Sequence, residues 1–280
     1  VACSCCTTIG RIEMLRTGTG GNAAILLHAA ASGPRALFKL GASLTGEGSG
    51  WEASLPALDG YGGTRLRDAR ADDPFAAHVQ IAHWALDEIG RERPNGRRVL
   101  IGHSMGGLVA LLAALEGLPA DGLVLYEPIV LDCLDANDPT DMEARAWDAD
   151  RVARLQTGVA AGDPEAGVKA FIEAFNEVAW SDLPAALRAD LVAKASILAA
   201  ETQAAPMVKL DKSRLAELSM PILILQGGRS PPVTQRMTLR LAEAIPSATR
   251  RVIDGAGHMG PALLPARVAT ELRPFLNGLV

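Results

Sequence analysis

Aromatic side chains are scarce in this chain: Phe, Tyr and Trp supply 4% of its 280 residues. Any ligand pocket it forms is therefore expected to be aliphatic. Cysteine is scarcer and unevenly placed, with Cys3, Cys5 and Cys6 crowded at one end and Cys133 alone. Neighbours that close cannot build a disulfide framework, and no second ligand pair completes a zinc pattern, so the first residues read as a mobile tail and no metal is expected. Lys and Arg do not cluster and the formal net charge is −5, which excludes a surface built for nucleic acid or an anionic membrane. No apolar run reaches the roughly 18 residues of a spanning helix, because Glu116 interrupts the longest one. A charged and then apolar leader is also missing, so the default expectation is a cytoplasmic protein. Because the sequence begins with Val1, a segment removed from in front of it stays open.

What is present is a 49% hydrophobic content, enough for a sizeable core, in a length that suits one large domain carrying an insertion. Short apolar runs at 9–15, 23–27, 51–57, 99–101, 123–126, 222–225 and 250–253 read as strands. Helices are expected between them at 35–44, 74–91, 108–118, 232–245 and 261–276, the second capped by Asp73 with Pro74 in its first turn. Strand and helix in alternation predict βαβ units: an α/β fold whose mostly parallel central sheet is flanked by helices. From Leu131 the alternation stops. Helices are expected at 142–155, after Asp163 with Val168, Phe171, Ile172 and Phe175 on one face, and from Pro184 through Leu187, Leu191 and Ala195. The expected organisation is a core over 1–130 and 220–280, with a helical insertion over 131–219.

The most informative stretch is GHSMGG at 102–107, set between an apolar strand and a helix. A Gly-x-Ser-x-Gly run at such a turn exposes the serine hydroxyl on a strained backbone, while the glycines let helix and strand pack closely. Ser104 is the candidate nucleophile, and the N–H of Met105, at the positive end of the helix dipole, is a candidate oxyanion donor. Serine needs a base to act as a nucleophile, usually a histidine held in one tautomer by a carboxylate. His258, in the loop Gly255, Ala256, Gly257, His258 after the last strand, is the natural base. Asp254 is expected to solvate the entrance of that loop. His78 and His83 stand five apart on one helix, off the spacing that would let both face a metal, and are discounted as ligands. The glycine-rich loop at 60–63 lacks a dinucleotide fingerprint and GHSMGG lacks the lysine of a phosphate loop, so no cofactor is expected.

With these motifs in this order, the chain resembles the α/β-hydrolase family over nearly its whole length. The strand ending in His28 resembles the family's His-Gly oxyanion loop, Asp59 to Gly62 its Asp-x-x-Gly-Tyr-Gly segment, GHSMGG its nucleophile elbow, the insertion its cap, and His258 its histidine loop. The resemblance implies backbone N–H donors at Ala30 and Met105, with His28 structural. Two positions depart from it. Ala29 replaces a glycine, narrowing the geometries open to the oxyanion loop, and Ser230 stands where most relatives carry the triad aspartate. Some relatives keep the acid at the end of the strand after the nucleophile helix, which here is Glu127, with Asp132 and Asp135 as alternatives.

The function implied is a cofactor-free serine hydrolase acting on a carboxylic ester of a small to medium molecule through a Ser104 acyl-enzyme. The same triad also serves lactones, C–C bonds beside a carbonyl, or peracid formation, since strand-end loops and cap set the substrate. An alternative of another class is a non-catalytic binding protein on the same fold. The expected partner is a small-molecule, ester-like substrate, and oligomeric state stays open.

Overall fold

Four strands read as unbroken apolar runs: β3 (Asn22–Leu27), β6 (Arg98–His103), β7 (Gly122–Tyr126) and β8 (Ile222–Gly227). Such runs have no solvent-facing side and require cover on both faces. The computed structural model, which describes residues 2–67, 73–176 and 178–280, supplies that cover. With β1 (Ala2–Cys6), β2 (Gly10–Gly18), β4 (Trp51–Pro56) and β9 (Ala248–Ile253), they form a sheet in the order β1-β2-β4-β3-β6-β7-β8-β9, and the two-residue β5 (Arg65–Leu66) pairs with β2. Pairing is parallel from β4 through β9 and antiparallel at β1, β2 and β5.

The two-residue period of a strand divides each run between two cores. Ile25, Leu27, Leu100, Leu123, Leu125, Ile222 and Ile224 face α2 (Pro74–Glu92), α3 (Met105–Leu115) and α9 (Pro232–Ala244). Ala24, Leu26, Val99, Ile101, Val124, Leu223 and Leu225 face α1 (Phe38–Leu44) and α11 (Pro265–Asn277). Asp73 caps α2 through the Ala76 N–H at 3.0 Å, with Pro74 in the first turn, as its sequence implies.

Between β7 and β8 the described residues make only helices: α4 (Pro139–Ala160), α5 (Pro164–Phe175), α6 (Ala185–Ala193), α7 (Ala195–Ala204), α8 (Lys212–Ala216) and three short 3₁₀ turns. Leu155, Val168, Ile172, Trp180, Leu191 and Leu198 give this region a small core of its own. Its longest helix begins earlier than the apolar pattern suggests, because Asp138 caps it by accepting from the Thr140 and Asp141 N–H groups. The helix expected from Pro184 is divided at Lys194 into α6 and α7. The closing helix is likewise divided, with α10 (Gly260–Leu263) ahead of Pro265, whose ring has no N–H to continue the ladder.

One expectation is corrected at the N-terminus. Residues 2–6 form a strand and not a tail, because a turn in which both the Thr7 N–H and Oγ1 donate to the Gly10 carbonyl, each at 2.7 Å, folds them back onto the open edge of β2. No helix among the described residues is long and apolar enough to cross a membrane.

Charge fastens the helical region to the sheet domain. Asp141 on α4 is fully buried and accepts from Arg236 Nε at 2.5 Å and Arg240 Nε at 2.6 Å, both on α9, while Asp138 accepts from Nη2 of each at 3.0 and 2.6 Å. Burial by itself raises the Asp141 carboxyl, but its hydrogen bonds from Arg236, the Asp135 N–H and Arg240 outweigh that and hold it below the usual carboxylate range. Its contribution to stability is therefore present above about pH 4 and is lost as pH falls through the depressed folded-state value. Asp141→Ala is expected to cost about 2 to 4 kcal/mol in urea unfolding at pH 7, less than a fully enclosed pair because both guanidinium groups keep Asp138. The difference from the parent should shrink as the buffer is taken toward pH 3.

Candidate active site

The end of β6 is where sequence and backbone geometry meet. Ser104 has φ 56° and ψ −118°, and α3 begins at the next residue. This turn exists because two glycines stand where a methyl group would collide with main chain: a Cβ at Gly106 would lie 2.3 Å from the Leu27 carbonyl oxygen, and one at Gly102 would lie 2.3 Å from that of Gly106. A Cβ at Gly107 would meet the Pro128 side chain at 2.9 Å. Helix, strand and turn therefore approach more closely than any side chain allows, and the serine is held at the tip.

His258 reaches this tip from the loop after β9. Its Nε2 is 3.0 Å from Ser104 Oγ and its Nδ1 is 2.7 Å from Glu127 Oε2. Glu127 can only accept, so Nδ1 carries the proton and Nε2 is left to accept from the serine hydroxyl. Glu127 is fully buried, with φ 45°, and its second oxygen accepts from the Gly227 N–H at 2.6 Å. β6 and β7 are parallel neighbours in register His103 to Tyr126, which puts the residues after them side by side.

The other acids lie elsewhere. Asp132 accepts from Lys209 Nζ at 2.8 Å and the Leu210 N–H at 3.0 Å, and Asp135 accepts from the N–H and side-chain amide of Asn137. Ser230 Oγ is buried with no hydrogen-bond partner, so the hydroxyl at the place of the usual aspartate orients nothing. Asp254 is exposed at the loop entrance.

Ala30 and Met105 line the same cavity as Ser104 and His258. Met105 opens α3, where the first four N–H groups of a helix have no partner inside it. Among the described residues, the non-glycine residues with positive φ are Ala31, Ser104 and Glu127, and all three sit at this site. The alanine at position 29 needs no glycine-like backbone; the left-handed turn of the loop falls two residues later, at Ala31. His28 donates from Nδ1 to the Ala29 carbonyl at 2.9 Å and accepts at Nε2 from the Leu58 N–H at 3.1 Å, so its ring serves the backbone. Burial pushes it down to about 3, which keeps it neutral.

Three supports were not legible as such in the sequence. His103 donates from Nε2 to the His258 carbonyl at 2.8 Å, and burial, followed by the neighbouring His258, holds its ring well below the usual histidine range. Tyr126 donates to the Gly257 carbonyl at 2.7 Å, and Gly227 holds Glu127. The only local signal was adjacency, since His103 and Tyr126 directly precede Ser104 and Glu127.

The cavity has a volume of about 630 Å³. Its apolar wall is mostly aliphatic, with Ile129, Leu131, Val152, Leu187 and Leu191 among its residues, but it also includes Phe75, Phe171 and Phe175. Aromatics are few, but three of the five phenylalanines converge here, from α2 and α5.

A family model described as the alpha/beta hydrolase family matches residues 24–271. This chain belongs to that family. A curated member, N-formylmaleamate deformylase of Pseudomonas putida, is 28% identical over 218 residues, which are 76% of this chain and 70% of the relative. Among solved alpha/beta hydrolase folds, a thermophilic esterase from Thermogutta terrifontis superposes with TM-score 0.73 at 22% identity, covering 100% of this chain and 99% of that one. A carboxylesterase from Bacillus subtilis gives 0.69 at 16%, covering 99% and 92%. Membership of the alpha/beta hydrolase family fits a hydrolase role.

The close approach at the turn makes its own prediction. Gly106→Ala has to displace the Leu27 carbonyl or the helix, and is expected to lower unfolding free energy in urea by about 3 kcal/mol, the upper end for overpacking. Ser104→Ala, in the same measurement, should change stability by less than about 1 kcal/mol.

Proposed function

We propose that the chain is a serine hydrolase that cleaves a carboxylic ester of a small to medium substrate through a Ser104 acyl-enzyme. The observation that carries the reading is the continuous hydrogen-bonded line from Ser104 Oγ through His258 to Glu127, opening on a largely apolar cavity. In the first step His258 Nε2 takes the serine proton as Oγ attacks the ester carbonyl. The tetrahedral oxyanion is met by the N–H groups of Ala30 and Met105, and Glu127 stabilises the imidazolium. The imidazolium returns its proton to the leaving alcohol, and the same histidine then activates water to release the acid.

Ser104→Ala is expected to reduce p-nitrophenyl ester hydrolysis by about 10⁴-fold or more, and Glu127→Gln to lower kcat by about 10³ to 10⁴-fold with little change in KM. Asp132→Asn and Asp135→Asn should stay near parental activity. A Glu127→Gln enzyme with near-parental kcat would remove Glu127 from the triad. Covalent labelling separates catalysis from mere binding: an organophosphonate should add to Ser104 and stop turnover, and no adduct would favour a binding protein.

For the acyl group, the three phenylalanines support acceptance of aryl as well as short aliphatic chains. The kcat/KM for a phenylacetyl ester is expected within about tenfold of that for a butyryl ester. A steady rise toward long chains would instead point to a lipase. The relative named N-formylmaleamate deformylase favours a second reading, release of a formyl group from nitrogen, and Arg35 and Lys39 on the cavity wall would suit a substrate bearing a carboxylate. Release of formate from an N-formyl amide, faster than alcohol from any ester, would favour it.

A further inference from the structure

We propose that Tyr61 and Glu201 are positioning residues for the oxyanion loop, so that α7 of the helical region sets the geometry of the Ala30 N–H. The proposal rests on reading Ala30 as an oxyanion donor. The Ala31 N–H donates to Tyr61 Oη at 2.9 Å, and the Tyr61 hydroxyl donates to Glu201 Oε2 at 2.7 Å. The other oxygen, Glu201 Oε1, lies 3.1 Å from His78 Nε2 on α2. All three side chains are closed off from solvent, at 0% exposure for Tyr61 and 2% for Glu201 and His78.

The geometry has a chemical logic. A phenol has one proton, and Glu201 takes it, which turns the lone pairs of Oη toward the Ala31 N–H. Without that acceptor the hydroxyl proton is free to face the N–H, and two buried donors then oppose each other. Burial, followed by the nearby Glu201, raises the Tyr61 hydroxyl well above the usual phenol range, so it keeps its proton.

A second, separate contact from the helical region acts on the same residue. Lys194, at the break between α6 and α7, donates from Nζ to the Ala31 carbonyl at 3.2 Å and the Ser32 carbonyl at 3.3 Å, and pairs with Asp190 at 2.6 Å. Ala31 is thus held at its N–H by Tyr61 and at its carbonyl by Lys194. It is also the residue whose φ of 60° an alanine adopts only when its surroundings impose it. The residue before it is the oxyanion donor, so release of either hold changes where the Ala30 N–H points.

The test uses the full chain and rates counted per active site, so that misfolded protein does not contribute. Tyr61→Phe keeps the ring and removes both hydrogen bonds. It is expected to lower kcat on a p-nitrophenyl ester by roughly 10 to 100-fold, the scale of a small misplacement at a reacting centre, with KM changed less than about twofold. The rate of phosphonate addition to Ser104 should fall by the same factor. Glu201→Ala should behave likewise, and Glu201→Gln, which keeps an oxygen for the Tyr61 proton, should recover most of the loss. A Tyr61→Phe enzyme with parental kcat, or with a raised KM alone, would overturn the proposal. If that variant does not fold, equal kcat losses for Glu201→Ala and Glu201→Gln overturn it instead. A parent chain that the phosphonate does not label refutes the hydrolase reading itself, which distinguishes that failure from failure of the positioning role.

Discussion

The site depends on a contact that no side chain permits. At Gly106, α3 comes so close to the end of β3 that a methyl group would stand 2.3 Å from the Leu27 carbonyl oxygen. That approach sets the start of the helix against two strand ends at once, and the residue between strand and helix is forced into the left-handed conformation of Ser104. The positive end of the helix dipole then lies beside the serine, with the Gly107 and Leu108 N–H groups turned back to the Ser104 carbonyl. In the proposed mechanism this one packing event places Ser104 and the Met105 N–H together, while the Ala30 N–H comes from the separate loop after β3.

In the proposed triad, the carboxylate illustrates how a fold can keep a chemical requirement while moving the residue that meets it. A histidine base needs an acceptor at Nδ1, and any buried strand end beside the nucleophile strand can offer one. Here β7 does so through Glu127, whose φ of 45° turns it off the strand, and the Gly227 N–H on β8 fixes the second oxygen. Ser230, further along the β8 end, is left as a buried hydroxyl without a partner. An unsatisfied buried polar atom is costly, and the hydroxyl fits only because Gly227 has no side chain: a Cβ there would be 2.6 Å from Ser230 Oγ.

The helical region touches the chemistry by two kinds of contact. Its phenylalanines, Phe171 and Phe175, form cavity wall, and the Phe175 ring centroid is 5.4 Å from that of His258. Its polar residues hold the loop that precedes the cavity, while the Asp138 and Asp141 pairs with α9 keep the whole region seated. Shape is supplied by dispersive contacts that tolerate substitution, and orientation by buried hydrogen bonds that do not.

Much of this was legible in one dimension. The parallel strands announce themselves because strands covered on both faces must be apolar throughout, and GHSMGG marks the turn because its glycines are needed by the close approach itself. Ser104 and His258 could be named as candidates from glycine-rich runs that follow apolar strands, and Glu127 from the family resemblance, with Asp132 and Asp135 as alternatives. What only the tertiary structure decided is which segments and side chains meet, near or far along the chain. Residues 2–6 became a strand because β2 offered them an open edge. Three of few aromatics converged on one cavity from two helices, and Tyr61 met Glu201 across 140 residues. A buried hydrogen bond needs both partners in place and leaves no period in the sequence of either, so strands and turn motifs can be read from the chain while the contacts that join them cannot.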